Sequence, residues 1–307
     1  MSELSEIKFD KREHHFYVTP KTKMGKFSLQ LPLSVSLQIT RNCNLSCVYC
    51  SEIGGIPNAP IAKMREIIKS LQGTKRIIVT GGEPLTRKNW FQILEYIKEM
   101  HFENISLATN GVLIDPYVAD KLQSLVDYVD ITIDGPRKIH NEIRGEYDAV
   151  IKGIRTLSNA RVPFSLVTVL YRKNADSILY TCQLANALDA MQLKIVTPIA
   201  KGRGKGVMSQ LLSSDQLASI FQGIKSEKER NGWTVRIAMT DWNRVGEGHA
   251  ILVLPNGDVV ASPVPSQEEC VLLLGNILEE SIESIWKKYP YKENHLNKYL
   301  EKTLYVC

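Results

Sequence analysis

The sequence predicts an α/β protein, a partial TIM-like (β/α)6 parallel barrel followed by a small C-terminal α+β domain. Three observations lead there. From Ser34 to Gly206, short β-branched or apolar runs alternate with helical segments, the signature of repeated βα units. Unusual short motifs follow strand after strand, each at a C-terminal end. After Gly206 the rhythm breaks into a helix, a strand and a hairpin. The expected division is therefore an extension over 1–33, the barrel over 34–206 and a C-terminal domain over 207–307.

Residues 1 to 30 have weak periodicity and suggest a short extension, such as a hairpin, against the main body. The strands are then "SVSLQIT" (34–40), "KRIIVT" (75–80), "NISLAT" (104–109), "YVDITI" (128–133), "PFSLVTVL" (163–170) and "QLKIVTP" (192–198). Helices are expected over 59–72, 89–100, 116–126, 147–160 and 175–190. Six βα repeats are too few for a closed eight-fold barrel, so an open parallel barrel or a doubly wound sheet fits. Beyond Gly206, a helix near 213–230, a strand at 233–239, a hairpin turning at Pro255-Asn256-Gly257-Asp258 and a helix N-capped by Ser281 complete the chain.

Composition narrows the function classes. The 307 residues and 44% hydrophobic content suffice for one large domain and a smaller one. The net charge of +5 is spread without any block of like charges, which suits an anionic or peptide ligand and does not argue for nucleic acid. A charged N-terminus without a following apolar stretch predicts neither a signal peptide nor a membrane span, hence a cytoplasmic protein. In that compartment clustered cysteines read as metal-binding or catalytic rather than as disulfides.

Such a cluster opens the second half of the first βα unit, in "ITRNCNLSCVYCSE": Cys43, Cys47 and Cys50 in the spacing C-x3-C-x2-C. Three thiolates can hold three irons of a 4Fe–4S cube and leave the fourth open, whereas an electron-transfer cluster takes four. Structural zinc would want a fourth Cys or His, and His14, His15 and His101 are far away in sequence. Cys182, Cys270 and Cys307 are scattered and read singly as buried or surface thiols. "GGEP" (81–84) follows the second strand, "NG" (110–111) the third, "DGP" (134–136) the fourth and "KGRGKG" (201–206) the sixth. In a parallel sheet these ends share one face, where ligands bind. Two adjacent glycines let the backbone take positive φ and approach a ligand closely, with the Glu83 carboxylate just beyond. "KGRGKG" fits a flexible exit from the barrel better than a phosphate cradle, and His249 reads as structural. Each short motif is also a plausible turn by itself, and Arg144 a plausible surface partner of Glu142 or Glu146.

Through Cys43-x3-Cys47-x2-Cys50 and Gly81-Gly82-Glu83-Pro84 the sequence resembles the radical S-adenosylmethionine (radical SAM) enzymes over about residues 34–206, with "LATNG" and "ITIDGPRKIHNEIRG" similar to the third- and fourth-strand motifs of the subgroup with a SPASM or twitch auxiliary domain. The resemblance implies one 4Fe–4S cluster and S-adenosylmethionine, the latter bound with Gly81, Gly82, Glu83 and Pro84 at its amino end, Thr132 and Arg144 on ribose or carboxylate, Thr109 and Asn110 lining the pocket, and Tyr49 beside the adenine. It implies a 5′-deoxyadenosyl radical that takes hydrogen from a substrate, most readily a ribosomally made peptide, with a small molecule such as a sugar nucleoside as the alternative, and an external electron donor such as flavodoxin or ferredoxin. A non-catalytic, metal-stabilised binding module is the rival from another class. The tail "LPNGDVVASPVPSQEECVLLLGNILEESIESIW" resembles the start of the auxiliary domain, but Ser262 stands where the family has a cysteine, and only Cys270 and Cys307 remain nearby. The expectation is a twitch-like fold that has lost its auxiliary cluster, which favours redox-neutral chemistry.

Overall fold

The structure, a computed structural model, describes residues 6–10, 15–19, 29–52, 54–244, 248–264, 267, 270–290 and 304–306. Near the N-terminus, β1 (Glu6–Asp10) and β2 (His15–Thr19) pair antiparallel in a sheet of their own, the hairpin expected there. The main sheet begins with β3 (Ser34–Thr40) and continues through α1 (Ile61–Lys69), β4 (Arg76–Gly81), α2 (Trp90–Glu99), β5 (Asn104–Thr109), α3 (Pro116–Leu125), β6 (Tyr128–Thr132), α4 (Arg137–Ile143), α5 (Tyr147–Asn159), β7 (Phe164–Val169), α6 (Ile178–Ala187) and β8 (Gln192–Val196). Then come α7 (Ser214–Asn231), β9 (Arg236–Thr240), β10 (Ala250–Val253), β11 (Asp258–Ala261), β12 (Leu272–Asn276), α8 (Ile282–Trp286) and β13 (Leu304–Val306).

Helix starts follow local chemistry. Asp115 accepts a hydrogen bond from Val118 N (2.8 Å) with Pro116 at the first helical position of α3, and Ser213 with Gln216 closes a capping box on α7. Ser281 caps α8 as expected, accepting from Ser284 N.

Among the described residues the main sheet has the order β12-β11-β10-β3-β4-β5-β6-β7-β8-β9-β13. Every neighbouring pair from β10 through β3 to β9 is parallel, and β11, β12 and β13 add antiparallel at the edges. From β3 to β9 the order never reverses, so the switch point that defines a doubly wound sheet does not form. Two further pairings escaped the sequence. The strand expected at 233–239 forms at Arg236–Thr240 and extends the parallel sheet beside β8. The 250–262 hairpin docks on the free edge of β3, in parallel. His249 has a structural part in this, its carbonyl accepting from Leu33 N (2.8 Å) and Ser34 N (3.2 Å).

The strands alternate strictly between two environments. Val35, Leu37, Ile39, Ile77, Val79, Ile105, Leu107, Val129, Ile131, Leu166, Leu193 and Ile195 are buried in one core with Met64, Ile67, Ile93, Leu94, Leu122, Ile154 and Ile224 of the helices. The opposite face carries Ser34, Ser36, Gln38, Asp130 and Lys194, in step with the period of two. Among the described residues no helix is long and apolar enough to cross a membrane.

Candidate functional site

The cysteine loop leaves β3 at Thr40 and is gripped on several sides. From β4, Gly82 N donates to Thr40 O (2.9 Å) and Glu83 N to Asn42 O (2.7 Å). A Cβ at Gly81 would fall far inside contact distance of Thr40 O, and one at Gly82 of Asn42 O and Arg41 O. Neither glycine takes a positive φ. The positive φ expected of them does not form, and their missing side chains admit the backbone that carries the cysteines. Pro84 is buried and opens a 3-10 turn over Pro84–Thr86, after which the buried Arg87 donates to Ile39 O, to Ala59 O (2.6 Å) and to Asn89 Oδ1 (2.8 Å). Arg87 thereby fixes the foot of the loop.

The segment read as a flexible exit is instead a 3-10 helix, Gly202–Gln210, laid against the loop. Arg203 N donates to Cys50 O (2.9 Å) and its Nε to Cys47 O (2.8 Å). A Cβ on Gly202 would crowd Cys50 O and Ser51 O (both 2.8 Å), and one on Gly204 would crowd Ile199 O and Tyr49 O. Lys201 and Arg41 (3.3 Å) converge on Glu52, holding its carboxyl below the usual range against the upward push of burial. From α4, Ile143 O accepts from Val48 N (3.0 Å).

On this frame Cys43 is exposed, Cys47 buried and Cys50 half-buried. Leu45 N donates to Cys43 Sγ (3.4 Å), and the Cys50 thiol donates to Glu52 O (3.0 Å). Burial pushes the Cys47 thiol up and Arg144 pulls it back, with Cys50 and Cys43 adding like-charge repulsion. Cys43 is likewise raised by burial, then lowered by the Leu45 N–H and raised by Glu83. Three thiolate donors on one loop suit a cube, one to each of three corners, whereas a structural zinc takes four Cys or His ligands.

Glu83 is fully buried. Its Oε1 accepts from Leu85 N (3.1 Å) and Thr109 Oγ1 (2.8 Å), and its Oε2 from Asn110 N (2.7 Å). Burial raises its pKa while these donors and Arg144 lower it. Thr109 and Asn110 therefore spend their polar groups bracing Glu83, and Asn110 Nδ2 reaches Asn44 Oδ1 (2.7 Å) beside Cys43. The structure brings Cys43, Gly81–Pro84, Thr109 and Asn110 into one body across three strand ends.

The other half of the site is a buried triad. Tyr49 OH donates to Asp134 Oδ2 (2.5 Å) and accepts from Arg144 Nη1 (2.6 Å), and Arg144 lies 3.8 Å from Asp134 Oδ2. Asp134 Oδ1 accepts from Val169 N (2.8 Å) and Thr168 Oγ1 (3.3 Å). Burial disfavours the Arg144 charge, but Tyr49 and Asp134 outweigh it and keep the guanidinium charged. The Tyr49 ring meets Tyr171 edge to face at 6.2 Å. Arg144 Nε is buried without a hydrogen-bond partner, an unspent charge-assisted donor next to the cysteine loop that fits the carboxylate of an amino acid-like ligand. Thr132 is half-buried at the end of β6. Asp134 was read within the strand-end motif "DGP", but its bond to Tyr49 and its pairing with Arg144 had no signal in the sequence.

A sequence profile of the Radical SAM superfamily matches residues 37–185, which contain all of these groups except the 3-10 helix. The mycofactocin maturase MftC of Mycolicibacterium smegmatis is 28% identical over 283 residues, covering 84% of this chain and 71% of that protein. An AdoMet-dependent heme synthase of Methanosarcina barkeri is 30% identical over 184 residues, covering 56% and 52%. Among solved structures, Streptococcus suis SuiB bound to its precursor peptide SuiA superposes with a TM-score of 0.71 at 14% identity, over 88% of this chain and 67% of that one, and so shares its fold. Members of the superfamily use a 4Fe–4S cluster and S-adenosylmethionine. With the three-cysteine loop, the Gly-Gly-Glu brace and the profile match in agreement, residues 37–185 match the Radical SAM superfamily and the chain is a radical SAM enzyme.

Proposed function

We propose that this enzyme is a peptide maturase: Cys43, Cys47 and Cys50 mount one 4Fe–4S cluster, and the hydrogen it removes comes from a ribosomally made peptide. When bound, the cluster and S-adenosylmethionine together supply a 5′-deoxyadenosyl radical, the hard part of the chemistry. The chain supplies placement and shelter. Arg144, held by Tyr49 and Asp134, offers its unspent Nε–H to the carboxylate of S-adenosylmethionine. Gly81, Gly82, Glu83 and Pro84 set the amino-end wall, with Thr109 and Asn110 behind Glu83. Tyr49 presents its ring beside the adenine, Thr132 stands on the ribose side, and the surrounding apolar groups keep water out.

One observation carries the peptide assignment. The match to MftC, a maturase by name, covers 84% of this chain and so reaches into the C-terminal third, whereas the match to the heme synthase covers 56%. The C-terminal domain is assigned a twitch-like fold without an auxiliary cluster: Ser262 replaces the expected cysteine, Cys270 lies between β11 and β12 at one sheet edge, and Cys182 is a core residue of α6. The reconstituted enzyme, given reductant, S-adenosylmethionine and a deuterated pool of short ribosomal peptides, is expected to release deuterium-labelled 5′-deoxyadenosine. Label appearing only with a deuterated small-metabolite pool would replace the peptide by a small molecule.

A further inference from the structure

The face of the sheet turned away from the helices carries a charge pair that the cofactor site does not use. Lys194 Nζ lies 2.8 Å from each carboxylate oxygen of Asp130, with 27% and 10% of the two side chains exposed, and it stands 5.1 Å over the Tyr128 ring. The strand register places the pair at the site: Thr132, Val167 and Lys194 form one row across β6, β7 and β8, and Ala108, Asp130 and Ser165 form the row beneath across β5, β6 and β7. Ser165 and, in register with Tyr128, Ser106 are fully buried, and the hydroxyl of each has no hydrogen-bond partner.

A buried ion pair is a poor way to stabilise a sheet, because an apolar pair of similar volume is usually as good or better. On its helix-packed face this same sheet is filled with Val, Ile and Leu. Two of the three Lys194 N–H donors meet Asp130, and the third has no partner among the described residues. One unspent ammonium donor and, on the strand between Asp130 and Lys194, the unspent hydroxyl of Ser165 call for an acceptor with negative charge. Asp130 sets the direction of the ammonium and balances its charge, and the remaining Lys194 N–H offers a directed charge-assisted hydrogen bond.

We propose that Lys194, positioned by Asp130 and flanked by Ser165, is a substrate subsite for a carboxylate, and that the substrate is acidic at the part that enters the sheet. The inference rests on the reading of this face as the substrate side of a radical SAM enzyme, and does not require the substrate to be a peptide.

The test is titration calorimetry of the cluster-loaded full chain with isosteric pairs, N-acetyl-glutamate amide against N-acetyl-glutamine amide, and glutarate against its half-amide. The charged member of each pair is expected to bind at least about tenfold more tightly, and Lys194→Met to erase that preference. The double variant Lys194→Met/Asp130→Leu is expected to lack the preference while melting no lower than wild type. Equal binding within both pairs, no binding of either pair, or an intact preference in Lys194→Met would overturn the subsite. So would a double variant whose melting temperature falls, which would make the pair structural. A preference confined to the glutarate pair would retain the subsite and count against the peptide, so the two readings fail separately.

Discussion

Gly82 has no room for a methyl group, because Asn42 O and Arg41 O occupy the space. Gly82→Ala is expected to cost about 1–3 kcal/mol, the usual penalty of overpacking, and to lower bound iron through displacement of the loop; a melting curve and an iron assay check both. His140 is buried, accepts from Asp134 N at 3.2 Å and has its pKa pushed down to about 4 by burial and by Arg144. The unfolded chain keeps the ordinary value of 6.5, so it binds the proton first as pH falls. The stability that neutral His140 contributes is whole above about pH 6.5 and lost toward pH 4, about 3 kcal/mol at most. Thermal melts from pH 7.5 to 4.5 should show His140→Asn losing less stability over that window than wild type. At this scale the cysteines and the Gly-Gly-Glu run were legible because their spacing is local. Arg87 and the partners of Asp134 were not, since what makes them matter is a carbonyl or a guanidinium brought close only by folding.

Strand ends were legible to within about three residues, because alternation of apolar and polar positions fixes both the element and its buried face. The 3-10 helix Gly202–Gln210 was not, since its glycines and lysines have linker composition; they are there because Cys50 O, Ser51 O and Tyr49 O leave no space for side chains. The short α4 hid behind the turn signal of Asp134-Gly135-Pro136. Glu83 ties the end of β4 to the end of β5 through three donors. Glu83→Ala would leave two buried N–H groups and a hydroxyl unpaired, and is expected to cost about 1–3 kcal/mol per group left without a partner, less whatever water recovers. Chemical denaturation of the unloaded chain measures this without any contribution from the cofactors.

At the scale of the molecule, six βα repeats announced a parallel sheet, but no local pattern could reveal that β9 would extend it on one side and β10 join β3 on the other. Edge choice is a long-range decision. It also bears on the number of clusters: Cys270 lies in the β11–β12 connection and Cys182 on α6, which packs on β7 and β8, so an anaerobically reconstituted chain is expected to hold about four irons, and about eight would restore the auxiliary cluster. The most direct test of the account is 5′-deoxyadenosine release by that chain with S-adenosylmethionine and dithionite, wild type beside Cys47→Ala. Wild type should release it, and the folded variant should hold little iron and release none. No release from wild type carrying its full iron, or equal release from the variant, would contradict the assignment of the three-cysteine loop as the working centre.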